Sequence, residues 1–99
     1  MQFIVTARDG IDEGALQRRL AVREAHLALG ATLAATGQHL YAAALLNEAG
    51  IMVGSVIICE YPSREALDEW LAQEPYVTGN VWQQIEVQPC RVGPSFQRR

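Results

Sequence analysis

Two arginines, a histidine and a glycine recur at helical spacing in the first third of the chain. Arg19, Arg23, His26 and Gly30 stand at i, i+4, i+7 and i+11, which puts them on one stripe of an α-helix. Aliphatic residues flank the stripe, Leu16, Leu20 and Leu27 on one side and Val22, Leu29 and Leu33 on the other. Burying unpaired charge is costly, so such a face demands either partners or a polar cavity. Imidazole exchanges protons near neutrality, and guanidinium holds anionic oxygens in a planar fork. Together they suit proton abstraction with elimination, isomerisation, or hydrolysis through an activated water, with Arg23 and Arg19 holding the anion. The structural alternative pairs Arg19 and Arg23 with Glu60, Glu69 or Glu86, or extends them to the surface. Arg19 is read first in that structural role, and Arg23 fits either. Gly30 has no side chain, which could leave room beside His26.

Other chemistries find little support. All eight basic residues are Arg, so lysine Schiff-base chemistry is excluded. A net charge of −3 offers no basic footprint for nucleic acid. Cys59 and Cys90 form no CxxC pair and read as structural thiols. Two Cys and two His at these spacings do not make a metal site, so neither metal nor cofactor is expected. Ser55 lacks a nucleophile-elbow context, and there is no glycine-rich phosphate loop. No apolar run approaches the roughly 20 residues that span a bilayer. The N-terminus lacks a signal-peptide pattern, so no membrane partner and a cytoplasmic location are expected.

The elements that position the stripe follow from periodicity. Gln2–Arg8 alternates as a strand, with Phe3, Val5 and Ala7 on one side, and Asp9-Gly10 breaks it. A helix is expected over about 13–36, with Asp12 as N-cap and Gly37 as its stop. Residues 38–46 fit a weaker strand that begins near His39, which is expected to be exposed. Residues 51–61 form the surest strand, apolar on both faces and therefore central. Ser63 caps a second helix that ends by Glu74, because Pro75 disfavours helical backbone before it. A last strand is expected over about 81–92, with Tyr76 and Trp82 packing or lining a pocket mouth. The order βαββαβ gives an α+β, ferredoxin-like domain over residues 1–92, a four-stranded antiparallel sheet with two helices on one face. Residues 93–99 are a polar tail. With both faces of the central strand apolar, the bare sheet face calls for a second copy, a twofold homodimer.

Several of these residues also carry a family resemblance. Arg23-Glu24-Ala25-His26-Leu27, Ala34-Ala35-Thr36-Gly37, Gly54-Ser55, and Glu74-Pro75-Tyr76-Val77-Thr78-Gly79-Asn80-Val81-Trp82 with Ile85-Glu86-Val87-Gln88-Pro89 resemble the YCII-related (YciI-like) family of small bacterial proteins. The resemblance implies a dimeric ferredoxin-like α/β barrel and a pocket with a histidine and an aspartate, in a family with relatives linked to dehydrochlorination of chlorinated aromatics. By position the histidine is His26. The acid is Glu74, where the family pattern has Asp. An acid before proline also caps short turns, although Glu is not among the favoured capping residues. Two functions stay open: a small enzyme with a His26/Glu74 dyad, its substrate bound near Arg23, Arg19, Gly30 and Tyr76, and a non-catalytic dimeric module that binds a small acid.

Overall fold

The computed structural model describes residues 1–97. Four strands, β1 (Gln2–Asp9), β2 (His39–Leu46), β3 (Met52–Glu60) and β4 (Trp82–Cys90), form one antiparallel sheet in the order β2-β3-β1-β4. Helix α1 (Ala15–Ala35) joins β1 to β2. Between β3 and β4 run α2 (Arg64–Leu71) and a single turn, α3 (Pro75–Thr78). This is the expected ferredoxin-like arrangement. Among the described residues no helix is long and apolar enough to cross a membrane.

Alternation along the strands sets the two sheet faces. Phe3, Val5 and Ala7 of β1 pair with Cys59, Ile57 and Ser55 of β3, so all six point to the helix side. There they meet Leu67 and Trp70 of α2, Tyr76 of α3 and the aliphatic flank Val22, Leu29 and Leu33 of α1. The Cys59 thiol donates to the Phe3 carbonyl, and burial pushes its pKa up to about 12. Gly54 lets β3 lie close to β1, since a Cβ there would stand 2.5 Å from the Ala7 carbonyl oxygen.

The opposite face grades from apolar to polar across the sheet. Tyr41 of β2, Ile58 of β3, Ile4 of β1 and Gln88 of β4 make one row, and Ala43, Val56, Thr6 and Glu86 the next. No helix covers this side, and Tyr41 is 64% exposed.

The capping residues differ from the sequence reading at two places. α1 starts at Ala15 with Gly14 as N-cap, because both Asp12 oxygens are engaged by Arg18 at 2.7 and 2.8 Å. Gly37 stops the helix as expected, with φ +87°. Ser63 caps α2 as expected, accepting from the Ala66 amide. That helix ends at Leu71, before Glu74 as expected, but α3 is an additional turn with Glu74 as its N-cap.

Two strand irregularities re-aim side chains. β2 carries an extra residue, Leu40, between His39 and Tyr41, so His39 opposes Cys59 on the helix side. His39 is therefore buried, contrary to the exposure expected from its place at a strand start. Its Nε2 lies 3.1 Å from the Tyr61 hydroxyl, and its ring meets Trp70 edge-on at 4.5 Å. Similarly, β4 shifts register so that Trp82 opposes Asp9 and turns into the core. The C-terminal segment ends in a 3-10 turn, Pro94–Phe96, with Phe96 exposed. The rest of the expected tail, 98–99, lies outside the described residues.

Candidate active site

His26 sits in the middle of α1, on the turn that faces α3. Its Nδ1 donates to Glu74 Oε2 at 2.7 Å. A carboxylate only accepts, so in the neutral ring the bond places the hydrogen on Nδ1 and the lone pair on Nε2. The same Oε2 accepts the Tyr76 amide at 2.9 Å. Glu74 thus caps α3 and holds the imidazole at once, within one chain. The capping role that its residue type argued against is present, because the longer side chain curls back over its own turn.

Tyr76 completes the support. Its ring stacks on the imidazole with centroids 3.8 Å apart and planes 13° from parallel. Trp82 approaches both rings edge-on. Burial raises the Tyr76 phenol pKa, with the charges of Arg19 and Arg23 pulling the other way.

Arg19 lies beneath this stack and is only 2% exposed. The acids expected for it, Glu60, Glu69 and Glu86, are not its partners. Instead its Nη1 donates to both Asp9 oxygens at 3.0 Å, and its Nη2 donates to Ser55 Oγ at 3.0 Å. Ser55 Oγ also accepts from Trp82 Nε1 at 3.3 Å. The guanidinium carbon stands 4.6 Å from the Tyr76 ring centroid, within cation–π range. Charge that looked uncompensated on the helix is therefore neutralised by a carboxylate at the end of β1.

Neither Asp9 nor Ser55 was singled out by sequence as part of the site, although the signal was there. Asp9 continues the parity of Phe3, Val5 and Ala7, and Ser55 that of Ile57 and Cys59. A polar residue at the end of each inward-facing row marks where the core opens.

A cavity of about 180 Å³ opens there, between α1 and the outer half of the sheet. Arg19, Arg23, His26, Ser55 and Tyr76 supply its polar wall. Ala42 and Ala44 of β2, with Ile57, line the facing side. Arg23 is exposed and makes no salt bridge among the described residues, leaving its charge available at the rim. Gly30 does not take part: a Cβ there would meet nothing within 4 Å, so the glycine makes no room beside His26. Leu20 and Leu27, expected to pack, are about half exposed. A larger groove of about 970 Å³ lies at the β1–α1 turn, but it holds neither histidine.

Comparison with known proteins places this chain in a family. The family model for the YCII-related domain matches residues 1–91. The chain belongs to the YCII-related family. Within it, Protein YciI of Escherichia coli is 35% identical, covering 92% of this chain and 97% of that protein. A Haemophilus influenzae protein is 34% identical over the same shares of the two chains. Among solved structures, the fold matches 5-chloro-2-hydroxyhydroquinone dehydrochlorinase of Burkholderia phenoliruptrix, bound to 2,5-dihydroxybenzoquinone, with a TM-score of 0.81. That match covers 98% of this chain and all of the other at 22% identity, and so speaks for the fold. An antibiotic biosynthesis monooxygenase matches more distantly, with a TM-score of 0.56 at 19% identity, over 95% of this chain and all of the other.

Proposed function

We propose that this YCII-related protein is a small enzyme that removes a proton from a small anionic or aromatic metabolite. His26 is the base and Glu74 the group that orients it. Proton loss is coupled to elimination, as of halide from a chlorinated phenolic ring. The observation that carries this reading is the 2.7 Å bond from His26 Nδ1 to Glu74, on a ring that borders the cavity. A base needs its tautomer fixed and its reactive nitrogen within reach of substrate, and the bond supplies the first condition. Arg23, charged and accessible, would attract the anionic oxygen. The fold shared with a dehydrochlorinase supports elimination over hydrolysis.

The test is release of chloride from 5-chloro-2-hydroxyhydroquinone under anaerobic conditions, followed by ion chromatography. His26→Ala should lower the rate by about 10²-fold or more, the usual contribution of a positioned base, with the circular dichroism spectrum unchanged. A rate unaffected by that substitution refutes the assignment. The unpaired Arg23 at the rim favours one second reading, a module that binds a small acid without converting it. Saturable binding of 2,5-dihydroxybenzoquinone, weakened in Arg23→Ala, with no product after long incubation, would establish it.

The same reading includes a homodimer through the bare sheet face. Its support is the row of Tyr41, Ile58 and Ile4, apolar and uncovered in one copy. A second sheet packed on that row would remove it from water, and a twofold axis makes the contact self-complementary.

A further inference from the structure

We infer that the Tyr76 hydroxyl is a second catalytic group, donating a hydrogen bond to the substrate oxygen on which charge collects as His26 takes the neighbouring proton. The substrate is accordingly a carbon acid, with its labile hydrogen on a carbon next to a carbonyl or on a ring tautomer of a phenol. This rests on the reading of the cavity as a substrate site and adds to it the electrophilic partner of the base.

Several independent features of Tyr76 lead there. Its packing duties need only a ring: the stack on His26 and the cation–π contact with Arg19 would be met by phenylalanine. Its backbone duty, donation to Glu74, needs no side chain at all. The hydroxyl is left over. Tyr76 is 1% exposed and its hydroxyl forms no hydrogen bond among the described residues, yet the sealed polar atoms left without a partner there are Arg19 Nε and Trp70 Nε1, not this hydroxyl. A hydroxyl that is neither paired nor sealed keeps an open side from which a partner can reach it. The residue lines the cavity that His26 also lines, so a ligand oxygen there would supply the partner.

The geometry also fits the chemistry. The imidazole and phenol rings stack with centroids 3.8 Å apart and planes 13° from parallel, and one carboxylate oxygen binds both the imidazole and the Tyr76 backbone amide. Their relative position is therefore fixed before substrate arrives, which is what a pre-organised acid–base pair requires. A carbon acid presents two atoms in adjacent places, the hydrogen on one carbon and the oxygen on the next. His26 Nε2 forms a bond to that hydrogen, and the C–H electron pair becomes the new C=C bond. The carbonyl π pair moves to oxygen, which accepts from Tyr76. When the carbonyl re-forms from the oxygen pair, the C=C pair shifts to the adjacent bond and the carbon there loses a leaving group such as chloride with its bonding pair. His26 then gives its proton to water. Burial keeps the phenol protonated and so able to donate.

The test uses the intact protein and 2,5-dihydroxybenzoquinone as probe, a ring that carries oxygens of the required kind. Tyrosine labelled with ¹³C at Cζ reports Tyr76 directly, with Tyr76→Phe serving to assign its signal. The expected result is a Tyr76 Cζ shift that saturates with the probe, and about tenfold weaker binding in Tyr76→Phe, as for loss of one hydrogen bond to a charged oxygen. Probe binding with an unmoved Tyr76 signal and unchanged affinity in Tyr76→Phe overturns this inference and leaves the cavity reading intact. No binding to the native protein at millimolar probe removes both.

Discussion

Glu74 Oε2 lies 2.7 Å from His26 Nδ1 and 2.9 Å from the Tyr76 amide nitrogen, so one oxygen holds both the imidazole and the backbone. Glu74→Ala should therefore cost stability as well as activity. It leaves a buried N–H on Tyr76 and the Nδ1–H of His26 without an acceptor, each loss costing about 1–3 kcal/mol. Urea denaturation should read a total of about 2–6 kcal/mol. Glu74→Gln keeps an acceptor oxygen and should recover most of that stability while turnover stays low.

The Arg19–Asp9 pair is buried on both sides, at 3% side-chain exposure each. Asp9→Ala should destabilise by about 3–5 kcal/mol, because it strands a cation away from water. Adding Arg19→Met to that variant should restore much of the loss, since apolar groups can replace a buried ion pair. A double-mutant cycle in chemical denaturation measures the coupling.

Burial holds His39 neutral, its pKa pushed down to about 4 against an ordinary 6.5, with the Glu74 carboxylate opposing and His26 adding to the shift. The unfolded state then binds more protons between these values, so stability is full above about pH 6.5 and falls as pH drops toward 4. The loss is at most about 3 kcal/mol. Carboxylates titrate in the lower part of that window too, so the measurement is the difference between native protein and His39→Phe. The variant's stability should fall less steeply across it.

Ile58 sits mid-face on the uncovered side of the sheet, half-buried in one copy. Ile58→Arg should halve the mass in solution by light scattering while retaining the secondary-structure spectrum. A native protein that is monomeric at tens of micromolar would refute the dimer.

The Gly54 position tests how tightly β3 and β1 approach. An added methyl at 2.5 Å from the Ala7 carbonyl must displace backbone, so Gly54→Ala should cost about 1–3 kcal/mol in thermal or urea unfolding.

Much of the architecture was legible because period-2 and period-3.6 patterns are long here. Phe3-Val5-Ala7 and Ile57-Cys59 declare their inward face, and Ser63 and Gly37 declare helix ends with side-chain or conformational reasons. The pairing of His26 with Glu74 was not legible from spacing, since 48 residues separate them; it entered through the family pattern around Pro75. What escaped was set by single extra residues. Leu40 turns His39 from a surface position into a buried one, and the extra residue Gln83, between Trp82 and Gln84, carries the Trp82 ring into the core. Bulges of this kind leave little trace in a hydrophobic pattern. Asp9 was passed over for a further reason: next to Gly10 it reads as a turn residue, whereas its parity makes it the inner end of β1.

The double duty of Glu74 also makes the site a reporter of its own opening. The Tyr76 amide exchanges with solvent deuterium only when its bond to Oε2 breaks, and that break also loosens the carboxylate that holds His26. The protection factor of a single backbone proton thus bounds how often the imidazole stands unsupported. Ligands or neighbouring mutations that slow exchange at residue 76 would do so by lengthening the time the imidazole spends bound to Glu74.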